Sequence, residues 1–407
     1  MKIVMICEFF NEELEYQENL LAKYYVKNGH EVTVITSTYD SVFDYYEDRH
    51  DNSRPGRVFE YGGAKIIKLP FAYNILNKLR AYTPIKKILE DERPDLIYLH
   101  DIMLNIPEAV AYVRKNPSCK MIMDYHADYS NSGKNWVSIK ILHGVIRKWF
   151  LDQARPHLEK IFPIVPAGGV FLHEVYKVPK SDLELLPLGT DVDLGAEVSA
   201  RGAGPALRAA LGISPTDFVV FTGGKLTALK KTEHLIEAVN LLGRPDVHLI
   251  VVGDVSADDQ SYKELLLRTA AGSPNIHFRG WANKVEVYEH LDMADIAVFP
   301  ASQSVLWQQA IGMGLPLIVS DRSDLAKGHQ DVGYLNEHGN IIILDHTRPL
   351  AEQIRGHLAD LLEDRGRMAA MAEGALRATD ELLNWDKLIL KTLRFNDPSL
   401  TEASGVR

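Results

Sequence analysis

The chain has 407 residues, of which 46% are hydrophobic and 25% charged, and its formal net charge is −10. This composition predicts a globular protein with room for two domains, and the negative charge argues against nucleic acid as a partner. The two cysteines, Cys7 and Cys119, are too few for a disulfide framework or a zinc site made of thiolates, so a reducing cytoplasm is the expected location. No run of 18 apolar residues is present, and no membrane-spanning helix is expected.

Short apolar runs alternate with helical patterns along the first half of the chain. The runs predict strands, and the patterns between them predict helices. The predicted strands are residues 2–7, 32–36, 65–69, 96–99 and 121–124, and the predicted helices are residues 15–28, 75–91 and 107–115.

The second half repeats this alternation. Its predicted strands are residues 218–221, 247–252, 276–279, 296–299 and 317–319, and its predicted helices are residues 232–242, 262–271, 284–293 and 307–313. Alternating strands and helices predict an α/β protein with two Rossmann-like domains, whose parallel sheets face each other across a cleft. Residues 187–205 are rich in glycine and lack periodicity, so they predict a hinge.

The segment from Phe221 to the helix at 232–242 predicts an anion site. The strand breaks at Gly223-Gly224, and Lys225 and Lys230 follow before the helix begins. Glycines let the backbone approach a ligand, a helix N-terminus offers unpaired N–H groups, and lysines add positive charge. Two cations five residues apart suit a diphosphate better than a single carboxylate. The chain has neither a Gly-x-Gly-x-x-Gly nor a Walker pattern, which argues against a dehydrogenase or a P-loop enzyme.

Five patterns follow one another along the chain. They are NGHEVTVIT (28–36), LPLGTD (186–191), GKLTALK (224–230), DMADIAVFP (292–300) and QAIGMGLPLIV (309–319). In this order they resemble the motifs of the retaining GT-B glycosyltransferases of family 4. The resemblance implies an acceptor-side domain over residues 1–187 and a donor-binding domain over residues 188–384. It also implies a C-terminal helix, within residues 385–407, that crosses back to the first domain before a tail.

The resemblance further implies that the second domain binds a nucleotide-diphosphate sugar. Lys225 and Lys230 would neutralise the diphosphate and carry the charge of the leaving group, so no metal and no cofactor is expected. Gly223 and Gly224 would let the phosphates approach the backbone. Trp281 would lie beside the base, although a tryptophan packed in the core is an equal alternative.

The loop after the strand at 296–299 departs from the family pattern. Similar enzymes commonly carry two glutamates eight residues apart, where this chain has Ala301 and Gln309. A glutamine can still hydrogen-bond a ribose diol, but it has no negative charge. Contact with the donor sugar is therefore expected from Ser302, Gln303 or Ser304.

Polar residues also follow two predicted strands of the first domain. They are His100-Asp101 and His126-Ala-Asp128, and such positions open towards a ligand in parallel sheets. The resemblance places an active-site histidine at His126, which would hydrogen-bond the donor sugar or the reacting centre. Asp128 would orient His126 or accept the proton of the incoming hydroxyl, and His100 and Asp101 would line the acceptor side. Histidines bonded only to backbone carbonyls are the alternative.

Residues 134–150 combine four cations with Trp136, Trp149 and Phe150. At helical spacing they have an apolar face and a basic flank, which suits peripheral contact with an anionic membrane surface. A helix packed on its own domain, with solvated lysines, is the alternative.

Together these patterns predict a retaining glycosyltransferase that moves a sugar from a nucleotide diphosphate to a hydroxyl. The expected acceptor is a glycan or a lipid-linked glycan, in polysaccharide or glycolipid synthesis at the inner face of the membrane. Two alternatives stay open. One is a nucleotide-sugar epimerase of the same fold, and the other is a non-catalytic glycan-binding or scaffold protein whose donor site has decayed.

Overall fold

The computed structural model describes residues 1–394, except 14–15, 42–43, 46–53, 76–78, 133–134, 257–258, 302–303 and 321–331. The chain divides into two compact units. The first comprises Met1–Pro187 together with the stretch that begins at Trp385, and the second comprises Leu188–Asn384. No helix in the described ranges is long and apolar enough to span a bilayer.

The first unit is an α/β unit. Its strands are β1 (Lys2–Ile6), β2 (Glu31–Ser37), β3 (Arg57–Tyr61), β4 (Ala64–Leu69), β5 (Phe71–Ile75), β6 (Leu79–Tyr82), β7 (Leu96–His100), β8 (Lys120–Tyr125) and β9 (Ile161–Pro163). Its helices up to Pro187 are α1 (Gln17–Lys27), α2 (Lys86–Glu92), α3 (Ile106–Lys115), α4 (Lys148–Ala154), which continues a π-helical stretch (Ser138–Arg147), and α5 (Pro166–Tyr176).

Seven of these strands form one sheet, in the order β3-β4-β2-β1-β7-β8-β9. Neighbours pair in parallel except β3, which is antiparallel to β4. In β1 every residue after Lys2 is buried, as expected for a parallel strand with helices on both faces. From β4 to β9 the order is that of a doubly wound sheet, and it reverses between β1 and β7. Ligands of such sheets bind beyond the carboxyl ends of the strands at this point.

The second unit is also an α/β unit. Its strands are β10 (Phe218–Gly223), β11 (Val247–Val252), β12 (Ile276–Gly280), β13 (Ile296–Phe299), β14 (Leu317–Val319) and β15 (Ile341–Ile343). Its helices are α6 (Val192–Ala200), α7 (Ala203–Ala210), α8 (Thr232–Leu242), α9 (Gln260–Thr269), α10 (Lys284–Asp292), α11 (Leu306–Gly312), α12 (Leu350–Glu363) and α13 (Arg365–Ala378).

The sheet of the second unit has the order β12-β11-β10-β13-β14-β15, and all its pairs are parallel. This is the strand order of the Rossmann fold, with the reversal between β10 and β13. The loop at Gly223-Gly224 and the loop that begins at Pro300 therefore leave the same edge of the sheet, side by side.

The ten predicted strands are confirmed, with ends that agree within two residues. The predicted helix at 75–91 is wrong in its first part and confirmed from Lys86 onward. Ile75 ends β5 and Leu79–Tyr82 form β6, and these two strands pair as an antiparallel hairpin. Pro84 disfavours helical geometry at Thr83, and the buried Tyr82 stacks on Phe71 at 5.6 Å between ring centroids. Residues 76–78 lie outside the described ranges.

The boundary between the two units lies at Pro187 and Leu188, at the start of the predicted hinge over 187–205. The lack of regular structure expected there is wrong, because helices α6 and α7 occupy most of the segment. Asp191 begins α6 by accepting a hydrogen bond from the Leu194 amide at 3.2 Å. A Cβ atom on Gly195 would lie 2.8 Å from the Met313 sulfur, and one on Gly204 would lie 2.5 Å from the Asp292 backbone. These glycines allow close packing rather than flexibility.

The stretch from Trp385 forms α14 (Trp385–Leu393), which packs against α1. Asp386 accepts hydrogen bonds from Lys27 Nζ at 2.8 Å and from Asn28 Nδ2 at 3.0 Å. Further along, the buried hydroxyls of Tyr25 and Thr392 share a hydrogen bond. The last helix of the described residues is thus part of the first unit.

Candidate active site

Three loops of the second unit meet at the carboxyl edge of its sheet. Each contains a glycine with a positive φ: Gly224 (109°) after β10, Gly253 (115°) after β11 and Gly280 (70°) at the end of β12. The Gly224 amide donates to the Val252 carbonyl at 3.0 Å, and the Gly253 amide donates to Gly280 at 2.6 Å. The angles of Gly224 and Gly253 suit only glycine, and a Cβ atom on Gly253 would also collide with the Gly224 backbone. Sequence reasoning found Gly224 and missed Gly253, although the same strand-then-glycine pattern marks both.

Lys230 and Ser304 lie around the same point next to Gly224. A Cβ atom on Gly224 would be 3.9 Å from Lys230 Nζ and 3.8 Å from Ser304 Oγ. The loops after β10 and β13 thus place an ammonium, a hydroxyl and an open backbone around one space, which we call the Gly224 cradle. Burial lowers the pKa of Lys230 to about 8. A partly desolvated ammonium gains more from an anion than a solvated one does.

The start of helix α8 differs from the expectation. The amide of Thr232, its first residue, donates to the Tyr262 hydroxyl at 2.9 Å, and this hydroxyl donates to Glu233 at 2.6 Å. The Thr232 N–H is therefore already satisfied within the protein. Lys225 is exposed beside the glycine loop, where its charge can reach a phosphate.

The loop after β13 carries the residues that depart from the family pattern. Ala301 is buried, and Ser302 and Gln303 lie outside the described residues. The side-chain oxygen Oε1 of Gln309 is buried and has no hydrogen-bond partner among the described residues. Such an acceptor gains free energy when a ligand hydroxyl donates to it.

Trp281 follows β12 at the same edge of the sheet. Its side chain is 62% exposed, so it does not pack in the core, and that alternative is wrong. An exposed indole presents a flat surface on which an aromatic base can stack.

In the first unit, His100 and Asp124 are paired neighbours on β7 and β8. The Asp124 carboxylate accepts hydrogen bonds from His100 Nδ1 at 2.9 Å, the Tyr98 hydroxyl at 2.9 Å and the Asp101 amide at 3.1 Å. His126 Nε2 lies 3.4 Å from Asp124 Oδ1, and the two imidazole centroids are 4.3 Å apart. The structure therefore brings the two predicted histidines together around a residue that sequence reasoning missed.

The protonation states of His100 and Asp124 depend on the charged groups around them. Burial alone would lower the pKa of His100, but the charge and hydrogen bond of Asp124, with Glu18, raise it to about 9. Burial would raise the pKa of Asp124, but His100 and His126 hold it well below its usual range. His100 is thus an imidazolium at neutral pH, next to an ionised carboxylate. An acid between the apolar run Met121–Met123 and Tyr125 was the signal that sequence reasoning overlooked.

Asp128 does not orient His126. Its Oδ1 accepts hydrogen bonds from the Ser130 amide at 2.7 Å, the Ser130 hydroxyl at 2.6 Å and the Asn131 amide at 3.0 Å. This carboxylate shapes the loop after β8, and Asp124 is the acid that contacts His126. The expectation that Asp128 orients His126 is therefore wrong, because a short acid two residues before a turn amide satisfies that turn. Its acceptance of the proton of the incoming hydroxyl stays a prediction.

His100, Asp124 and His126 also have side chains of the types that bind metal ions, with one ligand atom from each within 4.8 Å of the others. A metal would displace the proton of His100 and compete with three hydrogen bonds to Asp124. The contacts that the structure shows are a hydrogen bond between His100 and Asp124, with the His126 ring packed beside His100. The Asp-x-Asp triplet at Asp191-Val-Asp193 offers no better site, since Asp191 is buried and begins α6.

Two family models match the chain. The model described as Glycosyltransferase Family 4 matches residues 19–194, and the model described as Glycosyl transferases group 1 matches residues 217–360. An uncharacterized glycosyltransferase of Methanocaldococcus jannaschii, MJ1607, is 22% identical over 388 residues, which is 92% of this chain and 91% of that protein.

Solved structures show the same fold. Sucrose-phosphate synthase from Thermosynechococcus elongatus has a TM-score of 0.67 at 15% identity, over 99% of this chain and 100% of the other. Anabaena Alr3699/HepE, solved in complex with UDP-glucose, has a TM-score of 0.63 at 17% identity, over 97% and 99%. These likenesses confirm the expected GT-B fold, with its two Rossmann-like domains.

Proposed function

The chain belongs to the glycosyltransferases, with a family 4 domain followed by a group 1 domain. We propose that it transfers a sugar from a nucleotide-diphosphate sugar to a hydroxyl, with retention of the configuration at the anomeric carbon. The observation that carries the donor class is the Gly224 cradle. Lys230 Nζ and Ser304 Oγ lie 3.9 Å and 3.8 Å from one point beside a glycine backbone, which suits a diphosphate. The donor of Alr3699/HepE makes UDP-sugars the first candidates.

Donor recognition is divided among three loops in this proposal. Lys225 and Lys230 bind the diphosphate, and Trp281 stacks on the base. Gln309 Oε1, buried without a partner among the described residues, accepts a hydrogen bond from a ribose or sugar hydroxyl. The neutral amide replaces the glutamate of similar enzymes and keeps the acceptor oxygen.

The reaction breaks the bond between the anomeric carbon and the diphosphate oxygen. The acceptor hydroxyl oxygen forms the new bond to that carbon, and its proton passes to the departing diphosphate. Lys230 stabilises the charge that develops on the leaving group, and it does so strongly because its ammonium is already partly desolvated. His126 hydrogen-bonds the donor sugar, and lysine charge takes the part that a metal plays in other transferases.

The acceptor that we propose is a glycan attached to a lipid. Trp136, Val137, Ile141, Val145 and Trp149 form an apolar stripe on the helix that ends in α4, and each is between 45% and 67% exposed. Four of the five are spaced four residues apart, so they follow one face of the helix. The opposite face packs inward with the buried His143, Leu151 and Ala154.

The basic flank predicted beside this stripe is partly neutralised. Lys148 pairs with Asp152 at 2.8 Å, Arg147 lies 3.8 Å from Asp101, and Lys134 lies outside the described residues. We propose that the stripe rests on a membrane surface mainly through apolar contact. The inner face of the helix packs on its own domain, as the domain-packing alternative expects. That alternative does not explain why Trp136 and Trp149 are exposed on the outer face.

The test of the donor class is a thermal-shift panel of UDP, GDP, ADP, CMP, dTDP and their sugars, without metal, on the native chain and on Lys230→Ala. A nucleotide that binds the folded state raises the melting temperature by an amount set by its concentration relative to Kd. We expect one nucleotide family to stabilise the native chain and not Lys230→Ala. The matched control is Lys87→Ala, an exposed helical lysine of the first unit, which should keep the native response.

The panel, followed by product analysis of any stabilising nucleotide sugar, separates the alternatives. If no nucleotide at millimolar concentration raises the melting temperature, a working donor site is contradicted and a glycan-binding scaffold is favoured. Ala301, which stands where similar enzymes have a glutamate, is the observation that supports a scaffold. If a stabilising donor is converted to a second nucleotide sugar without an acceptor, the protein is an epimerase instead.

A further inference from the structure

A buried carboxylate with no role in the function proposed above lies at the end of β8. Asp124 has no exposed surface, and it accepts hydrogen bonds from the Tyr98 hydroxyl, His100 Nδ1 and the Asp101 amide. Three donors hold this carboxylate in one orientation. A buried charge is tolerated only when it is paired and hydrogen-bonded in this way. The Asp124 carboxylate therefore has a fixed orientation between the ends of β7 and β8.

His126 is held less tightly than His100. Its Nε2 is 3.4 Å from Asp124 Oδ1, is buried, and has no hydrogen-bond partner among the described residues. The His126 side chain remains 26% exposed, so the ring reaches the surface of the unit while its inner nitrogen faces Asp124. A small shift of the ring would complete a hydrogen bond to the carboxylate.

We propose that Asp124 is a positioning residue, which holds the imidazoles of His100 and His126 side by side. In this position His126 presents its outer nitrogen, Nδ1, to an oxygen atom of the reacting sugar nucleotide. This inference rests on the transferase function proposed above and adds a residue to it. Asp124 acts only through the histidines, since it is inaccessible to a substrate.

Glu18 completes the arrangement from helix α1. Its Oε2 lies 3.9 Å from His100 Nε2, and its side chain is buried. His100 thus lies between two carboxylates, with Asp124 on its Nδ1 side and Glu18 on its Nε2 side. The hydrogen bond to Asp124 orients the His100 ring, and the ring of His126 packs against it at 4.3 Å between centroids.

The first test is an NMR titration of the imidazole protons in the native chain, in Asp124→Asn and in Tyr98→Phe. The titratable groups that face His100 are Glu18, Tyr98, Asp101, Asp124 and His126. We expect Asp124→Asn to lower the pKa of His100 by about one unit or more and to shift the resonances of His126. Tyr98→Phe, which removes one hydrogen bond to Asp124 but no charge, should change the pKa of His100 much less. An unchanged His100 titration in Asp124→Asn would overturn the proposal.

The second test is kinetic and uses the donor that stabilises the native chain. Asp124→Asn should lower kcat by about 10- to 100-fold with little change in the KM for donor, because donor binding depends on the second unit. In the double variant with His126→Gln the two losses should not multiply, since Asp124 acts through His126. Multiplying losses, or an unchanged kcat, would contradict the positioning role.

Asp124→Glu separates position from charge, and it replaces Asp124→Asn if that variant does not fold. It keeps the negative charge but moves the carboxylate by one methylene, so His100 should keep its raised pKa while kcat falls. A native kcat in Asp124→Glu would show that charge alone matters and would overturn the positioning role. If the native chain transfers no sugar but the titrations behave as expected, the proposed function fails and the positioning of the histidines stands.

Discussion

A Cβ atom on Gly253 would lie within 3.0 Å of the carbonyl oxygen of Gly224, so the loops after β10 and β11 pack backbone against backbone. Both glycines have a positive φ, 115° for Gly253 and 109° for Gly224. The Gly224 cradle therefore depends on a residue that is 29 positions away and contacts no phosphate in the proposed function.

Gly253→Ala should destabilise the second unit by about 3 kcal/mol or more and abolish nucleotide binding, because the methyl group forces the two loops apart. The matched control is Gly272→Ala. Gly272 also has a positive φ, 82°, but has open space around it, so alanine there should cost only about 1 kcal/mol from backbone strain. Thermal unfolding and nucleotide titration measure both effects. Equal losses in the two variants would mean that the contact with Gly224 is unimportant.

Nucleotide affinity should fall as the pH rises through about 8. Burial lowers the pKa of Lys230 to about 8, so its ammonium is present below that pH and is lost above it. The fall should approach tenfold per pH unit where deprotonation of Lys230 is the only change. Calorimetric titration between pH 7 and pH 10 measures it. Lys230→Arg stays charged over this range and should show a much flatter profile, and a native profile in that variant would exclude Lys230 as the titrating group.

The stability of the first unit should fall as the pH rises from about 6.5 to about 9. The pKa of His100 is raised from 6.5 to about 9, so its stabilising contribution is complete below 6.5 and is lost as the pH passes 9. The contribution is at most about 3 kcal/mol. Thermal unfolding of the native chain and of His100→Gln at both pH values measures it. The variant should lack this part of the pH dependence, and a parallel loss in both proteins would assign it to another group.

Substitution of charged residues into the apolar stripe should abolish the proposed binding to a membrane surface. Trp149→Glu and Val145→Glu place carboxylates on exposed positions of the stripe, so cosedimentation with phospholipid vesicles should be lost in both. Leu241→Glu is the control, since Leu241 is 61% exposed but lies on α8 of the second unit. Binding of the native chain should depend only weakly on salt, because Lys148 is already paired. Equal binding by all four proteins would exclude the stripe.

Removal of divalent cations should leave transfer unchanged. Lys225 and Lys230 supply the positive charge at the proposed diphosphate site, and the Asp124 carboxylate already accepts three hydrogen bonds. Activity before and after exhaustive treatment with EDTA measures this expectation. A loss that magnesium or manganese restores would show that the lysines need a metal partner.

Much of the fold followed from local patterns. Apolar runs and helical periodicity located the ten strands, and the glycine break after Phe221 located the loop that carries Lys230. The hairpin of β5 and β6 was misassigned, since residues 75–91 also satisfy a helical period and only the burial of Tyr82 against Phe71 decides between the two. Helices α6 and α7 were missed because their glycines suggest a flexible segment. Only the structure shows that Gly195 and Gly204 pack closely against Met313 and Asp292.

The amino-acid sequence by itself determined the two Rossmann-like domains and the position of the glycine loop after β10, because both depend on residues close together in the chain. It could not distinguish Asp124 from Asp128, which stand on either side of His126 at equal separation. The parallel pairing of β7 with β8 places Asp124 against His100, and the turn after β8 engages Asp128 with Ser130. Tertiary structure decided which acid serves the histidines, since hydrogen bonds between distant residues form only when the sheet sets their register.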